Sequence, residues 1–151
     1  MGLAMVRSSA DAAQQPPPGG GLQSAMIDEI FANATEDQAL SFFVAVGTRL
    51  AASHPLPEND GVSGLEQAIN EIWGQLGLGQ VTLAIASDGI AIDHHGYTAS
   101  EAALSPSWPG AARALLRGAY GAWFASIGGE TKLYARLVRQ TSEQILLHYG
   151  L

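Results

Sequence analysis

The chain is 151 residues long, 47% hydrophobic and 14% charged, with 14 acidic against 7 basic residues, a formal charge of −7 and no cysteine. That length makes one domain with a sizeable core, and the apolar excess favours self-association. The negative field counts against nucleic acid and anionic lipid as partners, and the lack of cysteine removes disulfides, thiolate metal sites and cysteine nucleophiles.

Residues 1–23 form a tail that ends in Gln-Gln-Pro-Pro-Pro-Gly-Gly-Gly-Leu-Gln. It reads as a disordered leader or as a docking segment that orders on a partner. Nothing in it has the apolar core of a secretory signal, and no run of about 18 apolar residues could cross a bilayer. The expectation is therefore a soluble, cytoplasmic protein without membrane insertion, its single domain spanning residues 24–151.

A short helix is expected over about Ser24 to Ala32. Thr35-Glu36-Asp37-Gln38 is a capping box, and Ala39, Phe43, Val46 and Leu50 repeat at helical spacing behind it, so a second helix runs over about 36–53 until Pro55 and Pro57 end it. After a loop over Glu58-Asn59-Asp60-Gly61, Ser63-x-x-Glu66 predicts the cap of a third helix with Leu65, Ile69, Ile72, Trp73 and Leu76 on one face. Gly77 stands where a left-handed C-terminal residue belongs.

From Gln80 the period falls to two: Val81, Leu83 and Ile85 alternate with Thr82, Ala84 and Ala86, and Asp88-Gly89 suggests a two-residue hairpin turn. Strands over about 80–87 and 90–95 follow, with Ile85 opposite Ile92 and Leu83 opposite His94. Ser107 and Pro109 open a long helix carrying Ala112, Leu116, Ala119, Trp123 and Ile127 on one side, broken at Gly128-Gly129. Leu133, Ala135 and Leu137, then Ile145, Leu147 and Tyr149, alternate around a Gln140-Thr141-Ser142 loop as a second hairpin. The fold class is α+β: N-terminal helices, a hairpin, a long helix and a C-terminal hairpin, the strands making one antiparallel sheet packed with helices.

Gly74-x-x-Gly77-x-Gly79 is no phosphate loop, because it leads from a helix into a strand and no lysine follows. Asp93-His94-His95 cannot converge on one ion, since neighbouring strand residues point to opposite faces; His94 joins the apolar face as a buried, hydrogen-bonded residue, an interface residue or a ligand. Gly-x-Ser-x-Gly is absent, and paired carboxylates fall at helix starts or in loops. The sequence predicts no catalytic residue, metal or cofactor.

On the long helix, Ala114, Gly118, Ala122 and Ala125, with Gly121 beside them, make a stripe of small residues. Two readings stand: close packing within the monomer, or a subunit interface. Arg113 and Arg117 mark a polar side.

Four segments in order, FFVAVGTRLAASHPLP (42–57), LEQAINEIWGQLGLGQVTLAI (65–85), IDHHG (92–96) and ALLRGAYGAWF (114–124), resemble the D subunit of bacterial cellulose synthase. Gly47, Arg49, Leu50, Ala51, Leu56, Asn70, Trp73, Gly77, Gly79, His94, Gly118, Tyr120, Gly121 and Trp123 carry the likeness. It implies a noncatalytic accessory subunit, a homo-oligomer built as an octamer from a tetramer of dimers, that organises synthase complexes so that exported glucan crystallises. Implied partners are the other synthase subunits, a proline-rich protein and cellulose chains, in the cytoplasm or alternatively the periplasm. The tryptophans and Tyr120 fall on core-like faces, so no sugar-binding residue is carried over. The competing expectations are a small-ligand module with an apolar cavity lined by Leu65, Trp73, Leu116 and Trp123, and a hydrolase using His94 or His95.

Overall fold

The structure, a computed structural model, describes residues 21–57, 61–128 and 133–150. The proline-rich leader up to residue 20, the loop residues 58–60 and Gly129 of the predicted helix break lie outside the described residues.

Among the described residues, four helices and a four-stranded sheet make an α+β fold in the predicted order: α1 (Leu22–Asn33), α2 (Glu36–Ser53), α3 (Val62–Leu76), β1 (Gln80–Ala86), β2 (Gly89–His95), α4 (Trp108–Gly128), β3 (Tyr134–Gln140) and β4 (Gln144–Gly150). A 3₁₀ turn over Glu101–Leu104, absent from the sequence reading, leads into α4. The strands lie in the order β1-β2-β4-β3, all antiparallel, so the two hairpins join along β2 and β4.

Local chemistry sets the ends of the helices. Thr35 Oγ1 accepts the Gln38 N–H at 3.2 Å while Gln38 Oε1 accepts the Thr35 N–H at 3.0 Å, a reciprocal cap that starts α2 where the sequence placed it. Gly77 adopts φ 68°, and the Leu78 N–H reaches back to the Trp73 carbonyl at 3.1 Å, closing α3 in a Schellman turn. The start of α3 corrects an expectation. Gly61 is its N-cap, with no side-chain bond, and Ser63 and Glu66 form no capping box. Glu66 Oε1 instead accepts the Leu83 N–H at 2.8 Å, because β1 runs beside α3 and offers a free edge amide.

α4 lies between the sheet and α2 and is buried around most of its circumference, from Ala111 and Ala112 to Trp123 and Phe124. Ile127, expected in the core, is 51% exposed, since the last turn of α4 reaches an open groove beside Ile85 and Leu133. On α2 the buried line is Ala39, Phe43, Gly47 and Ala51; Val46 and Leu50, expected on that line, are only partly buried. The helix is rotated from the expected face so that its glycine meets α4.

The first hairpin turns at Ser87-Asp88 rather than Asp88-Gly89, which sets Leu83 opposite Ile92 and Val81 opposite His94. Two contacts explain the slip. His148 Nε2 lies 2.9 Å from Asp88 Oδ1 and anchors the turn, and a Cβ at residue 89 would stand 2.0 Å from the Tyr149 carbonyl oxygen, so the glycine is needed in the strand. A two-residue slip preserves the faces, and His94 remains inside. In β3 a bulge between Leu137 and Arg139 interrupts the predicted alternation, leaving Leu137 and Val138 exposed.

Candidate functional site

The three tryptophans and Tyr120 are all buried, and most of them converge. Trp73 comes from the last turn of α3, His94 from β2, and Tyr120 and Trp123 from one face of α4. The Trp73 ring meets those of His94, Tyr120 and Trp123 edge-on at centroid distances of 5.3, 5.8 and 5.3 Å.

One hydrogen-bond chain runs through this cluster. Trp73 Nε1–H donates to the Tyr120 hydroxyl at 2.8 Å, that hydroxyl lies 2.8 Å from His94 Nδ1, and His94 Nε2 lies 2.6 Å from the Leu78 carbonyl. A carbonyl only accepts, so Nε2 carries the imidazole proton and Nδ1 accepts from Tyr120. The chain uses the indole N–H, the hydroxyl and both ring nitrogens.

Burial pulls His94 down to about 4, against the pull of the Leu78 carbonyl; nearby His95 lowers it further and Asp93 raises it. Burial likewise pushes the Tyr120 hydroxyl well above the usual phenol range. His94 is therefore a neutral structural residue at neutral pH, with no ring nitrogen left for a substrate or metal. Asp93 and His95 point to the other sheet face, 3.3 Å apart. Among the described residues, no group of three or more His, Cys, Asp or Glu side chains could hold a metal ion.

The aromatics also fill the interior. Trp73, Leu116 and Trp123, three of the four residues proposed to line an apolar cavity, are buried against one another's neighbours, while Leu65 is half-buried. A small void beside His94, Trp108 and Leu116 measures about 10 Å³, at the lower limit for one water.

The other residues singled out in the sequence take defined places. Asn70 holds the β1 edge with two bonds, accepting the Val81 N–H at 2.6 Å and donating to the Val81 carbonyl at 2.9 Å. Gly79 has φ 92°, and a Cβ there would lie 2.0 Å from the His95 carbonyl oxygen. Trp123 Nε1–H donates to the His54 carbonyl at 2.9 Å and so ties α4 to the end of α2. Arg49 is exposed. Nothing lies within 4 Å of a Cβ built on Gly74.

The small-residue stripe divides along the helix. Gly118 faces α2, where its Cβ would lie 2.0 Å from the Val44 carbonyl oxygen; on the opposite helix a Cβ on Gly47 would lie 1.9 Å from the Leu115 carbonyl oxygen. Ala114 is buried too, and Gly121, half-buried, faces Ala135 of β3. Further along, Ala122 is half-buried and Ala125 is exposed. The stripe thus begins as a helix contact inside the monomer and ends on the surface. The periodicity missed Gly47, because a glycine carries no hydropathy signal.

Among the described residues no helix is long and apolar enough to cross a membrane. No curated protein matches the chain closely enough to be called a relative. The family model for the D subunit of cellulose synthase matches residues 8–150, which takes in every helix and strand of the described residues and each residue of the Trp73–Tyr120–His94 chain. The chain belongs to the cellulose synthase D-subunit family and has an accessory role in cellulose synthesis.

Proposed function

We propose that the protein is a noncatalytic, homo-oligomeric scaffold that organises cellulose synthase complexes for export and crystallisation of glucan. Membership of the D-subunit family carries this reading. The hydrogen-bond chain supports its noncatalytic part, because His94, one of the two histidines considered for a hydrolase, has both ring nitrogens engaged in the core. A scaffold needs a rigid body more than a reactive group, and the close α2–α4 crossing with the bonded aromatic core supplies one.

In this reading the assembly is an octamer, a tetramer of dimers, and the end of the small-residue stripe at half-buried Ala122 and exposed Ala125 belongs to a subunit contact. Its partners are the other synthase subunits and a proline-rich protein. Contact with cellulose chains is not assigned to any residue, since the tryptophans are buried. We place the scaffold on the cytoplasmic side; protection from protease added to spheroplasts is the expected result, and digestion there would move it to the periplasm.

The test is genetic and physical together. A deletion strain should still make glucan but secrete cellulose of lower crystallinity and disordered ribbons, restored by the wild-type gene. Unchanged fibre order in the deletion strain would sink the proposal.

A further inference from the structure

An open groove of about 320 Å³ lies between α1, α2 and the end of α3. Every described residue that lines it except Gln23 is apolar, and its buried lining includes Ile27, Phe43 and Trp108. Beside it stand three of the most exposed large apolar side chains of the described residues: Leu22 at 74%, Met26 at 55% and Phe42 at 48%. A patch of that kind on a folded domain marks a binding surface.

The chain itself supplies an occupant. The described residues begin at the rim of the groove: Gly21 packs on Glu101, next to the lining residue Ala102, and Gln23 and Met26 in the first turns of α1 line the groove. Upstream, Met1-Gly-Leu-Ala-Met-Val6 is an uncharged apolar run, rich in methionine, whose flexible thioether suits an irregular apolar surface. Residues 7–20 separate it from Gly21; at about 3.3 Å per residue they can span up to about 45 Å, far more than the reach from Gly21 to a groove that starts two residues on. A tether of that length holds the segment at roughly millimolar effective concentration, so weak apolar contacts are enough for docking.

We propose that residues 1–6 dock in the α1–α2 groove of their own chain and cover Met26 and Phe42. The segment precedes residue 8, where the family match begins, and the proposal does not depend on the scaffold reading.

The chain has no cysteine, so Ser8→Cys gives a single site for a nitroxide spin label on the full-length protein. The label should strongly broaden the methyl signal of Met26 and the ring signals of Phe42, with loss of most of their intensity. Adding Leu3→Asp and Met5→Asp should restore those signals and raise the fluorescence of an added anilinonaphthalene sulfonate probe. Absence of broadening, or broadening that survives both aspartates, overturns the proposal. So does broadening that passes from labelled to unlabelled molecules in a mixture, which would make the occupant a second copy. In that case Phe42→Asp should also lower the solution mass, whereas a plug in its own chain predicts an unchanged mass.

Discussion

Gly47 and Gly118 meet across the α2–α4 crossing, each leaving room for a backbone carbonyl of the other helix within 2.0 Å of where its own Cβ would stand. Contact of that kind is steric and reciprocal, and neither helix can take a methyl group without moving the other. Gly118→Ala gains helix propensity, about 1 kcal/mol, but overpacking against a carbonyl costs about 1–3 kcal/mol or more. We expect net destabilisation for Gly47→Ala and Gly118→Ala, read as a lower urea midpoint. Gly74→Ala, on an exposed helix face with open space around it, should raise the midpoint, as expected of about 0.5–1 kcal/mol of added stability.

Burial of His94 makes stability depend on pH in a defined window. The folded pKa of His94 is about 4 and the ordinary value is 6.5, so the unfolded chain binds the proton more readily. The stabilisation is fully present above about pH 6.5 and is lost as pH falls toward 4, amounting to about 3 kcal/mol across the window. Chemical denaturation at intervals from about pH 7.5, roughly one unit above the ordinary value, down to about pH 4 should show this decline. His94→Gln, which offers the Leu78 carbonyl a donor and Tyr120 an acceptor, should flatten it. The turn carboxylate Asp88, held below the usual range first by its bond from His148, titrates under that window and leaves the comparison intact.

Tyr120→Phe tests the same chain without a charge. The substitution keeps the ring and its packing but leaves the Trp73 indole N–H and His94 Nδ1 without their partner, both in the core. Stranding buried polar groups costs about 1–3 kcal/mol each, so a loss of a few kcal/mol is expected from thermal or urea unfolding. A loss below about 0.5 kcal/mol would mean that the hydroxyl bridge carries no weight.

How far the sequence reveals the fold follows the range of the interaction concerned. The ends of α2 and the Schellman turn at Gly77 were legible because caps act within a few residues. So was the burial of His94, since period-two alternation survives a slip of two residues. The face of α2 was misjudged at Val46 and Leu50, because Gly47 is buried for its lack of a side chain and hydropathy cannot register that. Glu66 looked like a capping residue until β1 was beside it, and the hairpin turn looked like Asp88-Gly89 until the Tyr149 carbonyl claimed the space next to Gly89. The hydrogen-bond chain was invisible for the same reason: Trp73, His94 and Tyr120 are chemically ordinary until three elements bring them together.

The β1 edge yields a further test. Asn70 occupies both polar groups of Val81 and Glu66 takes the Leu83 amide, so α3 blocks the strand against pairing with another chain. Asn70→Ala should therefore speed hydrogen exchange at the Val81 amide and destabilise by about 1–2 kcal/mol. It should also promote aggregation on heating, through the uncovered edge. Asn70→Asp keeps an acceptor for the Val81 N–H and should protect that amide better than alanine does.

The proposed subunit contact separates from the monomer core along α4 itself. Gly118 and Ala114 are enclosed by the monomer, so their variants alter stability whatever the protein assembles with. Ala125 is exposed and Ala122 half-buried, so a charge at 125 leaves the fold intact but would be buried without a partner in a closely packed subunit contact. Light scattering across a range of concentrations should show a discrete species near eight chains for the wild type, and a smaller one for Ala125→Glu with an unchanged circular dichroism spectrum. An Ala125→Glu protein of wild-type mass would remove this face from the contact. A wild type that stays monomeric at every concentration would remove the assembly altogether.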